Sequence, residues 1–123
     1  MSEDTALHVK LCREKADAAR EELGKDREAV VGDLSVKAVE QAIEAAASLE
    51  GLHFHAEPRR AHSARMRWAK SRYDGIANDL DQLWGAYGAL GYEGLDGDRA
   101  RKAVAAMERV IRRIARESNL SLT

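Results

Sequence analysis

The sequence has very few of the residues that mark disulfide-rich or membrane-spanning proteins. Cys12 is the only cysteine and Pro58 the only proline, so an internal disulfide framework and a thiolate metal cluster are excluded. No apolar run is long enough to cross a bilayer, and the first ten residues contain no apolar signal-peptide core. These absences predict a cytoplasmic protein that has no membrane partner.

The chain also has little net charge, although 33% of its residues are charged. A formal net charge of -1 predicts helical faces of mixed sign and disfavours a general polyanion binder. Alanine, glutamate, arginine and leucine dominate, and their side chains lose little rotamer freedom on entering a helix. The length predicts one domain over residues 1–123, with a single core.

Two stretches of the sequence have apolar residues at helical spacing, and each predicts a helix with one buried stripe. The first stripe is Ile76, Leu80, Leu83, Tyr87 and Leu90; the second is Ala100, Ala103, Met107, Val110 and Ile114. The Gly-rich corner between them predicts an antiparallel pair. We therefore expect a shared core that contains Val39, Ile43, Leu80, Leu83, Met107, Val110 and Ile114.

Capping and breaking residues give the predicted helix bounds. The fold prediction is all-α, an antiparallel up-and-down bundle of four long helices plus a short fifth, with no strand. The predicted helices run from a cap at Ser2 or Asp4 to about Leu23 (with Leu7, Leu11 and Ala18 inward, and Cys12 and Ala19 as further candidates), from near Asp26 to before Gly51, from Ala64 behind a Ser63 cap, up to Gly91 or Gly94, and from an Asp96 cap to about Glu117. The third helix either stops near Gly75 or runs on, bent, into the fourth. We expect the tail at 118–123 to be frayed.

Three histidines fall in the irregular segment before the third helix. His53, His55 and His62, with Glu57 among them, are residue types that bind zinc or nickel. Alternate residues of an extended loop can converge on one ion, but the spacing matches no fixed helical metal site. Surface or capping histidines are the commoner outcome, so the sequence predicts no metal and no cofactor.

A local basic cluster follows in the same region, with Trp68 and Tyr73 interleaved. Arginine binds phosphate bidentately and aromatic rings stack on bases, so this composition is typical of a nucleotide or nucleic-acid patch. The alternative is a solvated face whose arginines pair with the acidic first and second helices. The predicted contacts for phosphate or nucleic acid are Arg59, Arg60, His62, Arg65 and Arg67.

Several segments together resemble HEPN-type domains, the higher eukaryote and prokaryote nucleotide-binding superfamily. The small and apolar residues of 29–45 resemble that family's second helix, and the sequence from Pro58 to Ser63 is similar to the segment that opens its third helix. Tyr87, the residues Leu90-Gly91-Tyr92 and the last apolar helix are similar to its final two helices. The resemblance covers about residues 5–116.

The resemblance implies a helical bundle that is often dimeric, and two kinds of activity. Some members are metal-independent ribonucleases with an Arg-x(4-6)-His motif, and others are non-catalytic partners of minimal nucleotidyltransferases. Here Arg59 and Arg60 stand only three and two positions before His62, so the catalytic motif is absent.

The function predicted from the sequence is therefore a non-catalytic HEPN-like binding or accessory module. It would form a homodimer and contact RNA, a nucleotide or a nucleotidyltransferase-type protein. One alternative is a ribonuclease or toxin with a non-standard site near His62, which needs a proton-transfer group and a charge stabiliser at one substrate. The other is a purely structural homodimeric helical protein.

Overall fold

The computed structural model describes residues 1–93 and 97–123, and the side chains of residues 1–87 and 97–123. Within these residues there is no strand and no helix long and apolar enough to span a membrane. The all-α prediction is confirmed. The elements are α1 (Glu3–Gly24), α2 (Glu28–Ser48), a 3₁₀ turn (Phe54–Ala56), α3 (Pro58–Arg72), α4 (Ala77–Glu93) and α5 (Gly97–Ser118).

The helix α2 lies at the centre of the fold. It contacts α1, α3, α4 and α5, so its buried side chains extend around most of its circumference, including the small residues Ala45, Ala46 and Ala47. The predicted core set is confirmed, because Val39, Ile43, Leu80, Leu83, Met107, Val110 and Ile114 are each at most 1% exposed.

The buried face of α1 agrees with the predicted one in part, since Cys12 and Ala19 are fully buried. Ser2 is confirmed as its cap, since the Thr5 backbone N–H donates to Ser2 Oγ at 3.1 Å. The prediction that Leu7 faces inward is wrong, because its side chain is 51% exposed. The buried face consists of small and polar residues at a spacing of three or four: Thr5, His8, Cys12, Ala16 and Ala19.

The third helix begins six residues earlier than predicted. Pro58 is its first residue, a position where the missing N–H costs nothing because no intrahelical acceptor precedes it. Ser63 is therefore inside α3 and does not cap it.

Gly75 has a φ of +82° between α3 and α4, a conformation that favours glycine, so the two helices are separate. The arrangement of four long helices plus a short one is not confirmed, because the described part of the chain contains five α-helices of 15 to 22 residues.

The C-terminal tail is packed and not frayed. Asn119 has a φ of +56° and turns the chain back after α5, and the Leu120 backbone N–H donates to the Ala115 carbonyl at 3.1 Å. Leu120 and Leu122 are then 7% and 1% exposed, which corrects the prediction for 118–123. The predicted Gly94 corner and Asp96 cap, and the side chains of Leu90 and Tyr92, lie outside the described residues.

Candidate functional site

The six basic side chains of α3 divide into two groups. Three have carboxylate partners: Arg65 with Glu40 and Glu44, Lys70 with Asp81 at 3.0 Å, and Arg72 with Glu50 at 3.3 Å. The other three are Arg59, Arg60 and Arg67, which are exposed and have no ion-pair partner among the described residues. Half of the cluster therefore pairs with acidic residues and half faces solvent, and phosphate contact by the exposed half stays a prediction.

Arg65 belongs to an ion-pair network around the buried Glu44 that fixes the loop before α3. Its Nε donates to Glu44 at 3.0 Å and its Nη1 donates to Glu40 at 2.6 Å. Glu44 is 1% exposed and also accepts the backbone N–H groups of Phe54 and His55, at 3.1 and 3.4 Å. The role of Arg65 as a ligand contact stays a prediction, but its guanidinium is already bound by two carboxylates.

The start of α3 carries two of the unpaired arginines, and His62 follows them in the second turn. His62 is exposed, and its ring lies 5.1 Å from the Trp84 ring of α4, centroid to centroid. Arg59 and Arg60 line a shallow depression with Glu57 and Pro58. No side chain caps this helix N-terminus, so the positive end of the helix dipole is available to an anion there.

A second basic surface lies where α5 passes the α3–α4 turn. Arg109 donates to Asp79 at 2.8 and 3.0 Å, and Arg113 donates to the Asp74 carbonyl at 2.8 Å. The side-chain hydrogen bond to Asp79 is the main cause that raises the pKa of Arg109. Arg112 and Arg116 line the same groove and have no ion-pair partner in the described part of the chain. This surface joins α5 to α4 and leaves two arginines exposed.

Two of the three predicted loop histidines meet the start of α1. His53 Nδ1 lies 2.9 Å from Asp4 Oδ2, and His55 Nε2 lies 3.7 Å from Asp4 Oδ1. His8 joins them one helical turn after Asp4, with its Nε2 3.4 Å from Asp4 Oδ1. Burial alone raises the pKa of Asp4, but the nearby histidines, of which His8 acts most strongly, outweigh it and lower that pKa. His62 is not part of this cluster.

His8 is the buried member of the histidine cluster. It is 6% exposed, and its Nδ1 lies 2.7 Å from Gln41 Oε1 on α2. Its Nε2 is buried and makes no hydrogen bond to any described residue. Sequence analysis missed both Asp4 and His8, although their i, i+4 spacing places them on one side of a helix.

Cys12 belongs neither to the two basic surfaces nor to the histidine cluster. It is fully buried, and burial raises the pKa of its thiol to about 12, with a smaller opposing effect of Arg20. A thiol that stays protonated is a poor nucleophile and a poor metal ligand.

No family model, curated protein or solved structure matches this chain. The HEPN resemblance therefore stays a prediction, and function has to be argued from the surfaces described above.

Proposed function

We propose that this chain is a non-catalytic HEPN-like binding module that holds a phosphate-bearing ligand, RNA or a nucleotide, on the exposed face of α3. Arg59, Arg60 and Arg67 would contact phosphate, with His62 at the same surface and Arg65 holding the helix in place. The observation that carries the proposal is the division of the α3 basic residues, since these three arginines have no carboxylate partner in the described structure.

Charge geometry supports this surface. Arg60 and Arg67 are seven residues apart and so lie on one face of α3, separated by about 10 Å along the axis. Arg59 and Arg60 stand at the uncapped helix N-terminus, where backbone N–H groups and the helix dipole add to the attraction for phosphate. Guanidinium groups bind phosphate oxygens bidentately.

RNA binding can be tested by fluorescence anisotropy with a labelled single-stranded RNA over a range of salt concentrations. If three phosphates are contacted, the triple variant Arg59→Ala, Arg60→Ala, Arg67→Ala should bind more weakly and reduce the slope of log affinity against log salt by about 2. The control is Arg112→Ala with Arg116→Ala, which also removes unpaired arginines but from α5, and should leave the affinity close to wild type.

Other outcomes of the same assay favour the alternatives. A loss of affinity only in the α5 variant would place the ligand at the α5 groove and reject the α3 surface. RNA cleavage that disappears in His62→Ala would favour the ribonuclease or toxin. Affinity that is absent, or independent of salt, would leave the nucleotidyltransferase-type protein partner or the purely structural dimer.

Self-association belongs to the same proposal. Trp68 contacts the rings of Phe54 and Tyr73 at centroid distances of 6.1 and 5.7 Å, so it contributes to intramolecular packing. Among the described residues, the exposed large apolar side chains include Leu7, Val30, Leu49 and Leu52. Sedimentation velocity at tens of micromolar protein should show a dimer, and a monomer at that concentration would reject homodimerisation.

A further inference from the structure

We propose that Asp4, His8 and His55 form a binding site for one divalent transition-metal ion, such as Zn²⁺, that fastens the loop before α3 to the start of α1. The site is separate from the arginines of α3 and does not depend on the proposed function. Its three ligand atoms are Asp4 Oδ1, His8 Nε2 and His55 Nε2, which lie within 4.8 Å of one another.

The spacing of these atoms fits a tetrahedral ion. Ligand atoms about 2.1 Å from a tetrahedral zinc ion are about 3.4 Å from each other. The distances from Asp4 Oδ1 to His8 Nε2 and to His55 Nε2 are 3.4 and 3.7 Å. The His55 side chain is 44% exposed, so it has room to close the remaining distance, and water can take the fourth position.

The buried nitrogen of His8 is the observation that points to a cation. His8 Nδ1 lies 2.7 Å from Gln41 Oε1, so Gln41 accepts the hydrogen bond when the imidazole proton is on Nδ1. Nε2 is buried, lies 3.4 Å from Asp4 Oδ1 and makes no hydrogen bond to any described residue. A metal ion held between Nε2 and Asp4 Oδ1 would give this buried nitrogen a partner.

The surrounding contacts resemble the outer shell that metal sites require. Gln41 fixes the tautomer and orientation of His8, and His53 Nδ1 holds the second oxygen of Asp4 at 2.9 Å. The backbone N–H of His55 donates to the buried Glu44, which positions that ligand from the other side. Outer hydrogen bonds of this kind set the orientation and basicity of ligands. Two imidazoles and one carboxylate select zinc-like ions over Mg²⁺.

The test is calorimetric titration of the tag-free protein with ZnCl₂ and with MgCl₂, and visible spectroscopy with Co²⁺. We expect one zinc ion per chain, no heat with Mg²⁺ and the absorption bands of four-coordinate Co²⁺. Asp4→Asn and His55→Ala, which change partly exposed side chains, should abolish binding while circular dichroism stays helical. His62→Ala removes a histidine outside the cluster and should bind like wild type.

Gln41 gives a second and more specific measurement. Gln41→Leu removes the acceptor of His8 Nδ1 without touching a ligand and should weaken zinc binding by about 10- to 100-fold. Gln41→Glu keeps an acceptor for His8 Nδ1, so its zinc affinity should be close to wild type and higher than that of Gln41→Leu. The proposal is overturned if titration with an excess of zinc over protein produces no binding heat, or if Asp4→Asn and His55→Ala bind zinc like wild type. It is also overturned if His62→Ala loses zinc binding to the same extent as those two variants.

Discussion

The clearest energetic prediction concerns the buried pair of Glu44 and Arg65. Arg65→Met removes the guanidinium and leaves the Glu44 carboxylate, which is 1% exposed, with only the backbone N–H groups of Phe54 and His55. Breaking a buried ion pair by removing one partner costs about 3–5 kcal/mol. We expect a loss of that size in the free energy of unfolding, measured by urea denaturation with far-UV circular dichroism.

A double-mutant cycle separates the buried charge from the lost packing. Glu44→Gln keeps an oxygen for the two backbone donors but turns an amide donor toward Arg65, which should cost about 1–3 kcal/mol. In the Arg65→Met background the same change removes the unpaired charge. The double variant should therefore be less destabilised than the sum of the single variants, by about 0.5–3 kcal/mol.

The matched control is Arg72→Met. Arg72 pairs with Glu50 at 3.3 Å, and the two side chains are 53% and 47% exposed, so the loss should be about 0–1 kcal/mol. If Arg65→Met costs no more than Arg72→Met, or if the cycle is additive, then Glu44 is solvated and the account of this network fails.

Two further predictions concern the tail and the cysteine. Leu122→Ala should lower the free energy of unfolding by about 2–5 kcal/mol because Leu122 is 1% exposed, whereas the exposed Leu7→Ala should stay within about 0.5 kcal/mol; equal values in urea denaturation would mean that the tail does not pack. The Cys12 thiol, with its pKa raised by burial to about 12, should resist alkylation at pH 8 until the protein is unfolded. Because the folded pKa exceeds the unfolded value of 9.0, wild type should also lose stability relative to Cys12→Ala as pH rises from about 9 toward 12, and fast alkylation of native protein would contradict both expectations.

Local periodicity predicted the helices that bury one regular apolar stripe. Leu80, Leu83, Met107, Val110 and Ile114 are buried as expected, since a repeat of 3.6 residues determines which side chains share a face. The same reasoning failed for Leu7 in α1, where small and polar side chains cover the neighbouring helix and Leu7 faces away.

The histidine cluster shows what a sequence pattern can and cannot reveal. The convergence of His53 and His55 could be suspected from their alternate positions in a loop. Their meeting with Asp4 depends on the first turn of α1 lying beside the last turn of α2, where Thr5 Oγ1 contacts Ser48 Oγ at 2.6 Å. The Glu44–Arg65 pair is likewise 21 residues apart in sequence, so no local spacing marks it. Long-range packing decides both sites.

The loop between α2 and α3 links the buried pair to the proposed metal site. His55 is held through its backbone N–H by Glu44 and through its side chain near Asp4. An ion that binds only the folded loop stabilises that loop. By linkage, any change that destabilises the folded loop lowers its affinity for the ion. Arg65→Met should therefore lower zinc affinity although Arg65 is not a ligand, whereas Arg72→Met should leave it unchanged. Equal affinities in a folded Arg65→Met protein would show that His55 reaches Asp4 without help from Glu44, and the two features would then be independent.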